Sequence, residues 1–277
     1  MQGDEPLPTT TTASPPVVLI HGAWAGSWVW DRLTPRLAAA GLTCRAIDLP
    51  GNGSDGTDPM LVTFESYLRH LHEVVVDMPG PVSLVAHSGG GNVASAFAER
   101  WPELVSRIVY VAGIMLPDGM SFVDIVEKVV VSHPDAVGVN PATVYSAGGR
   151  VSQAPPAAAI AYFFNDCSPT DAQAAASRLT PQGEGGREVV MRTTAERFGR
   201  VPRLYVEALD DKSVVPAVQR LMLALTPGAR TVSLRTGHAP QFSAPDQLAD
   251  AIVPFLLESP AAPTVRNNRA CAQGGAP

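Results

Sequence analysis

Pro81–Val82–Ser83–Leu84–Val85–Ala86–His87–Ser88–Gly89–Gly90–Gly91–Asn92–Val93 runs from a short apolar stretch, through a serine among small residues, into a helical pattern carried by Val93, Ala94, Ala96, Phe97 and Ala98. A strand turning into a helix through so tight a corner holds its serine in a strained backbone conformation with the hydroxyl exposed. Gly89 and Gly90 let the chain turn where side chains would collide. The usual form of this corner is Gly-x-Ser-x-Gly, and here Ala86, the smallest replacement, stands at the first position. Such a motif also arises by chance in Ala- and Gly-rich chains, so its meaning depends on whether partners for Ser88 follow.

Working outward from the corner, apolar runs and helical patterns alternate. A β-branched run at 17–20 predicts a strand buried on both faces, and it ends in His21–Gly22–Ala23–Trp24. A helix is expected over 33–40 with Gly41 as its stop, then a strand over 43–47 and turn residues at 48–53. Residues 63–76 are amphipathic at helical spacing. The helix after Ser88 is expected to end near Arg100, because Pro102 disfavours a helical residue before it, and a further buried strand is read at 107–112. Strands that alternate with helices in this way imply a doubly wound, mostly parallel α/β sheet with right-handed crossovers.

The alternation stops between about 117 and 200, where seven prolines and several Ala runs interrupt it. Short helices are expected at 122–131, 156–164 and 171–178. An insertion of this kind after a sheet strand reads as a helical cap over the carboxyl edge of the sheet. The sheet resumes at 203–208, followed by a helix at 216–225, a strand at 231–234 and a last helix at 245–257 with Ser243 as its expected N-cap. One domain is therefore expected over 16–258, with flexible tails at 1–15 and 259–277, both rich in Pro and small polar residues.

The 277 residues carry 20 Lys and Arg against 26 Asp and Glu, and no long block of either sign. That argues against a nucleic-acid or anionic membrane surface, which favours clustered cations. No apolar run approaches the roughly 18 to 20 residues that span a bilayer. The N-terminal stretch has neither the basic start nor the apolar core of a secretory signal, so a cytoplasmic location is expected. Three cysteines, Cys44, Cys167 and Cys271, are too few and too scattered for a disulfide framework or a zinc site.

Ser88, the acidic pair Asp210–Asp211 and His238 each fall just after an expected strand, on the edge where open α/β sheets bind ligands. A serine hydroxyl needs an imidazole to take its proton, and the imidazole needs a carboxylate to fix its tautomer. The order Ser, Asp, His along the chain is the one this type of sheet uses. Of the six histidines, His70 and His72 lie in a helix pattern and His133 precedes a proline. His21 and His87 sit beside the loops in structural or pocket-lining places, and His238 alone follows a late strand. The oxyanion of an acyl-transfer intermediate also needs N–H donors; Gly89 supplies one, and the first loop, at Ala23, the other. Trp24 is expected to border an apolar substrate pocket.

The set His21–Gly22–Ala23–Trp24, Ala86–His87–Ser88–Gly89–Gly90, Asp211–Lys212 and Gly237–His238 resembles the α/β-hydrolase superfamily, in the branch that holds plant methylesterases, hydroxynitrile lyases and bacterial carboxylesterases. Residues 202–252 are particularly similar to bacterial pyrethroid-hydrolysing carboxylesterases. The resemblance extends over about 17–257 and is weakest in the cap. It implies Ser88, Asp211 and His238 as the triad, Asp211 being preferred over Asp210 by its spacing to His238 and by Gln219 eight residues on. It further implies Ala23 and Gly89 as oxyanion donors, Trp24 and His87 at the substrate, and no metal or other cofactor. The expected partner is a small-molecule ester, hydrolysed through an acyl-enzyme, with no nucleic acid and no membrane; the sequence leaves the oligomeric state open. Related cyanohydrin lyases carry a lysine after the histidine and a threonine in the first loop, where this chain has Ala239 and Gly22. A ligand-binding protein that keeps a hydrolase pocket is the remaining alternative, and an intact triad argues against it.

Overall fold

The computed structural model describes residues 15–259. Its centre is a six-stranded sheet built from β1 (Val17–Ile20), β2 (Cys44–Ile47), β3 (Val82–His87), β4 (Val105–Val111), β8 (Arg203–Ala208) and β9 (Ala229–Leu234). The spatial order is β2-β1-β3-β4-β8-β9, with every pair parallel. Side chains alternate across each strand, and both faces are apolar. Val17, Leu19, Val85, Val109 and Val206 pack to one side with Leu37 of α1 (Thr34–Ala39) and Ile252 of α9 (Pro245–Leu257). Val18, Ile20, Leu84, Ala86 and Ile108 pack to the other with Leu71 of α2 (Phe64–Val76) and Phe97 of α3 (Gly90–Arg100). Two-sided burial explains why central stretches such as β1 and residues 108–111 of β4 read as continuous apolar runs rather than alternating ones.

From β1 the chain steps outward to β2, whereas from β3 it steps the other way to β4. The sheet thus reverses its winding between β1 and β3, whose ends are paired at Ile20 and Ala86. A crevice at the carboxyl ends of two such strands is where ligands bind in doubly wound sheets. The loop at Gly22–Trp24 and the corner at Ser88 flank it.

Between β4 and β8 the chain forms α4 (Phe122–Val130), α5 (Pro156–Tyr162) and α6 (Pro169–Ala176), near the expected helical stretches. The insertion is not purely helical. It also contains a three-stranded antiparallel sheet of β5 (Val144–Ser146), β6 (Val151–Gln153) and β7 (Gln182–Gly183). Strands of two or three residues leave no readable two-residue alternation, which is why the sequence did not reveal them. After β8, α7 (Pro216–Leu225) packs Val218 and Met222 against Ile125 and Val129 of α4.

One cap differs from expectation. A one-turn helix, α8 (Pro240–Ser243), precedes α9, so the residue before α9 is Ala244, which makes no side-chain cap. Ser243 closes α8 instead, its hydroxyl donating to Asp166 at 2.8 Å. No helix among the described residues is long and apolar enough to cross a membrane. The expected flexible tails lie largely outside the described residues.

Candidate active site

Ser88 follows β3 directly, with φ at 49°, in the left-handed region that non-glycine residues rarely enter. Backbone hydrogen bonds hold it there. Its N–H donates to the Val111 carbonyl at 3.2 Å, and its own carbonyl accepts from Gly91 at 3.0 Å and Ile114 at 2.8 Å. The close approach of β1 requires small residues on both sides. A Cβ at Gly22 would lie 2.7 Å from Ser88 Cβ, and one at Gly90 would lie 2.6 Å from the His21 carbonyl oxygen.

His238 lies beyond β9 and Asp211 beyond the neighbouring β8. His238 Nδ1 and Asp211 Oδ2 are 2.8 Å apart, with both side chains buried. Asp211 Oδ1 accepts the backbone N–H groups of Ser213 at 2.7 Å and Val214 at 2.9 Å, so both oxygens are engaged. An ionised carboxylate only accepts, which assigns the proton to His238 Nδ1 and leaves Nε2 with a lone pair. Asp210, the alternative acid, is exposed and contributes a backbone bond to the Thr236 carbonyl. The adjacent aspartates are therefore distinguished by direction: one turns inward to His238 and the other faces solvent.

His238 and Ser88 share one cavity of about 580 Å³ with Gly22, Ala23, Trp24, His87 and Gly89. No hydrogen bond joins Ser88 Oγ to His238, a looseness common before substrate arrives. A Cβ on Gly89 would lie 3.7 Å from the Ala23 amide nitrogen, so the two expected amide donors are neighbours. Apolar side chains including Val29, Val93, Ile114, Phe163, Phe164 and Val214 form much of the remaining wall.

Two histidines read as structural or pocket-lining have specific tasks. His21 Nε2 accepts the Leu49 N–H at 2.9 Å, which assigns its proton to Nδ1, and Nδ1 donates to the Gly22 carbonyl at 2.7 Å. In a trans peptide the carbonyl and the next N–H point opposite ways, so this bond turns the Ala23 N–H away from His21. His87 Nε2 donates to the His238 carbonyl at 2.8 Å and so anchors that loop. Burial above all pushes the His87 pKa well below the usual imidazole range, and burial also lowers that of His21. His87 borders the cavity as expected, but as a buried neutral strut of the His238 loop.

Trp24 also borders the cavity and is buried. Around it lie polar residues that the sequence did not single out: Ser152, Gln182, Glu184 and Arg187, all from the insertion. The Arg187 guanidinium sits 4.4 Å over the indole ring. Scattered polar residues in irregular segments carry no periodic signal, and only the folded chain brings these four together.

A parallel sheet of this winding, with a serine at its strained central corner and a buried His–Asp pair beside it, defines a hydrolase class, and a family model described as "Alpha/beta hydrolase family" matches residues 17–251. The chain belongs to the α/β-hydrolase family. It is 30% identical over 241 residues to putative methylesterase 14, chloroplastic, of Arabidopsis thaliana, spanning 83% of this chain and 69% of that protein. It is likewise 30% identical over 267 residues to the pyrethroid hydrolase of Sphingobium wenxiniae, spanning 86% of each. Among solved structures, a pyrethroid hydrolase from Sphingobium faniae is similar with a TM-score of 0.74 at 28% identity, covering 87% of this chain and 97% of that one. Polyneuridine aldehyde esterase gives a TM-score of 0.76 at 25% identity, with 87% and 99% covered.

Proposed function

We propose that the chain is a serine carboxylesterase that hydrolyses small to medium hydrophobic carboxylic esters through an acyl-enzyme. The observation that carries this reading is that His238, paired with buried Asp211 at 2.8 Å, lines the same cavity as the strained Ser88. The esterase names of the relatives point the same way.

In this scheme Ser88 Oγ attacks the acyl carbon while its proton passes to His238 Nε2. Asp211 holds the ring by Nδ1 and offsets the imidazolium charge. The carbonyl oxygen, now an oxyanion, accepts from the Ala23 and Gly89 N–H groups. Collapse of the intermediate breaks the bond to the alkoxide oxygen, which leaves as the alcohol with the proton from His238. Water then attacks the acyl-serine, giving its proton to His238; collapse frees the carboxylic acid and returns the proton to Ser88. No step calls on a cofactor.

The apolar walls favour uncharged ester groups, with pyrethroid-like esters among them. A lyase step of the cyanohydrin type finds no support at the first loop, because Gly22 has no hydroxyl and its Cα sits against Ser88 with no room for a side chain. The test is a p-nitrophenyl ester series of increasing acyl length, together with a pyrethroid. Hydrolysis of one or more supports the reading, and turnover of none overturns it.

A further inference from the structure

Trp24 is the second residue of the crevice with a strained backbone. Its φ is 60°, beside Ser88 at 49°, and neither is a glycine. Ser88 is held by backbone bonds to β4, α3 and the loop after β4, whereas Trp24 is held entirely from the insertion. Its N–H donates to Gln182 Oε1 at 3.1 Å, its carbonyl accepts the Thr180 N–H at 2.8 Å, and its indole N–H donates to Ser152 Oγ at 3.1 Å. Its ring stacks with Phe163 at 5.7 Å between centroids. Gln182 is itself oriented, because its amide nitrogen donates to Tyr67 Oη at 2.6 Å and to the Gly183 carbonyl at 3.1 Å, which leaves Oε1 facing Trp24.

The consequence falls on Ala23. The peptide plane before it is fixed by His21 through the Gly22 carbonyl, and the plane after it is fixed by Gln182 through the Trp24 N–H. A residue between two anchored planes has little freedom to turn its own amide. One anchor comes from the sheet and the other from the insertion.

We propose that Gln182 is a positioning residue that lets the insertion set the oxyanion site: by holding Trp24 in the left-handed conformation it aims the Ala23 N–H at the developing oxyanion. The proposal rests on the esterase reading above. It makes transition-state stabilisation, rather than ester binding alone, depend on how the insertion is docked.

The experiment compares the parent with Gln182→Met, which removes the acceptor at similar size. Two quantities are read: kcat and KM on p-nitrophenyl butyrate, and the inhibition constant of an aryl trifluoromethyl ketone, which binds as a serine hemiketal with an oxyanion. Loss of one oxyanion donor costs roughly 100- to 1,000-fold, so a misaimed donor is expected to lower kcat about 10- to 100-fold. KM should stay within about threefold, and the ketone should bind more weakly by the factor lost in kcat. Ser152→Ala, which frees the indole N–H and also removes the Ser152 contacts to Glu184 and Arg187 while leaving Gln182 in place, should move both in the same direction by a smaller factor, and it decides the matter if Gln182→Met does not fold. An active parent whose Gln182→Met and Ser152→Ala variants keep kcat and ketone affinity overturns the proposal alone. A parent that neither turns over esters nor binds the ketone overturns the esterase reading and the proposal with it.

Discussion

The two strained residues of the crevice, Ser88 and Trp24, are held by different physics. Ser88 sits at the end of a strand paired on both sides, and its N–H and carbonyl are both engaged by backbone partners. Those partners belong to the hydrogen-bond ladder and the apolar layers that make up the fold, so the corner persists as long as the sheet does. Trp24 is fixed by the side chains of Gln182 and Ser152 and the amide of Thr180, in a segment of short helices and strands. Elements with few buried contacts open locally at lower free energy than the core. In the proposed reading the chemistry is fastened to the sheet, while the insertion that supports Trp24 is expected to be the more adjustable part.

The largest effects are expected at the rigid end. Replacing Ser88 with Ala should lower kcat on p-nitrophenyl butyrate by about 10⁴-fold or more, since the proposed acyl-enzyme forms on its hydroxyl. A variant that kept its rate would remove the basis for treating the β3 corner as the reactive side of the comparison. Asp211→Asn should lower kcat about 10³- to 10⁴-fold, because an amide can present a donor to Nδ1 and favour the wrong tautomer. Asp210→Asn should stay within about twofold. Parental activity in the Asp211 variant would reverse that assignment.

The sheet was legible because two-sided burial writes itself into apolar runs such as 17–20 and 108–111, and turn residues bound them. Ser88, Asp211 and His238 were legible because each follows an expected strand. Polar contacts made across the fold were not. Trp24 and Gln182 stand 158 residues apart, and nothing local to either position announces the bond. The same holds for His21 and His87, which read as lining residues until their partners, Leu49, Gly22 and the His238 carbonyl, come into place. The small sheet of the insertion was missed for want of length, and Ser243 was misread because α8 intervenes.

A moderate effect is expected from acid, and it acts on the sheet edge. His21 and His87 have lowered pKa values when folded and ordinary ones near 6.5 when unfolded. Below about pH 6.5 the unfolded chain takes up protons that the folded chain refuses, so stability falls as pH falls. Each such histidine contributes a slope approaching about 1.4 kcal/mol per pH unit, and that contribution is fully present only above pH 6.5. Paired carboxylates lose their contribution nearer their own unfolded value of about 4, which leaves the window from 6.5 to 5 to the histidines. Urea unfolding at pH 7.5, 6.0 and 5.0 should show falling midpoints, and a flat series would mean that these rings are protonated in the folded state as well.

The smallest effect is expected at the adjustable end. Arg32, near the start of α1, pairs with Asp171 of α6 across the junction between sheet layer and insertion, donates to the Phe242 carbonyl at 3.2 Å and lies 4.1 Å over the Phe242 ring. Both charged side chains are more than a third exposed, so solvent screens the pair. Asp171→Asn keeps the shape and the Ser168 cap of the helix, which involves the backbone N–H of residue 171 rather than its carboxylate. Its expected signature is local. Amide exchange in Pro169–Ala176 should quicken by about two- to fivefold while that of β1 and β3 is unchanged, and the overall melting temperature should hardly move. Exchange that quickened equally in the sheet strands would mean that the insertion and the sheet open as one unit. The contrast between the corner at Ser88 and the clasp on Trp24 would then be a difference of bonding without a difference of stability.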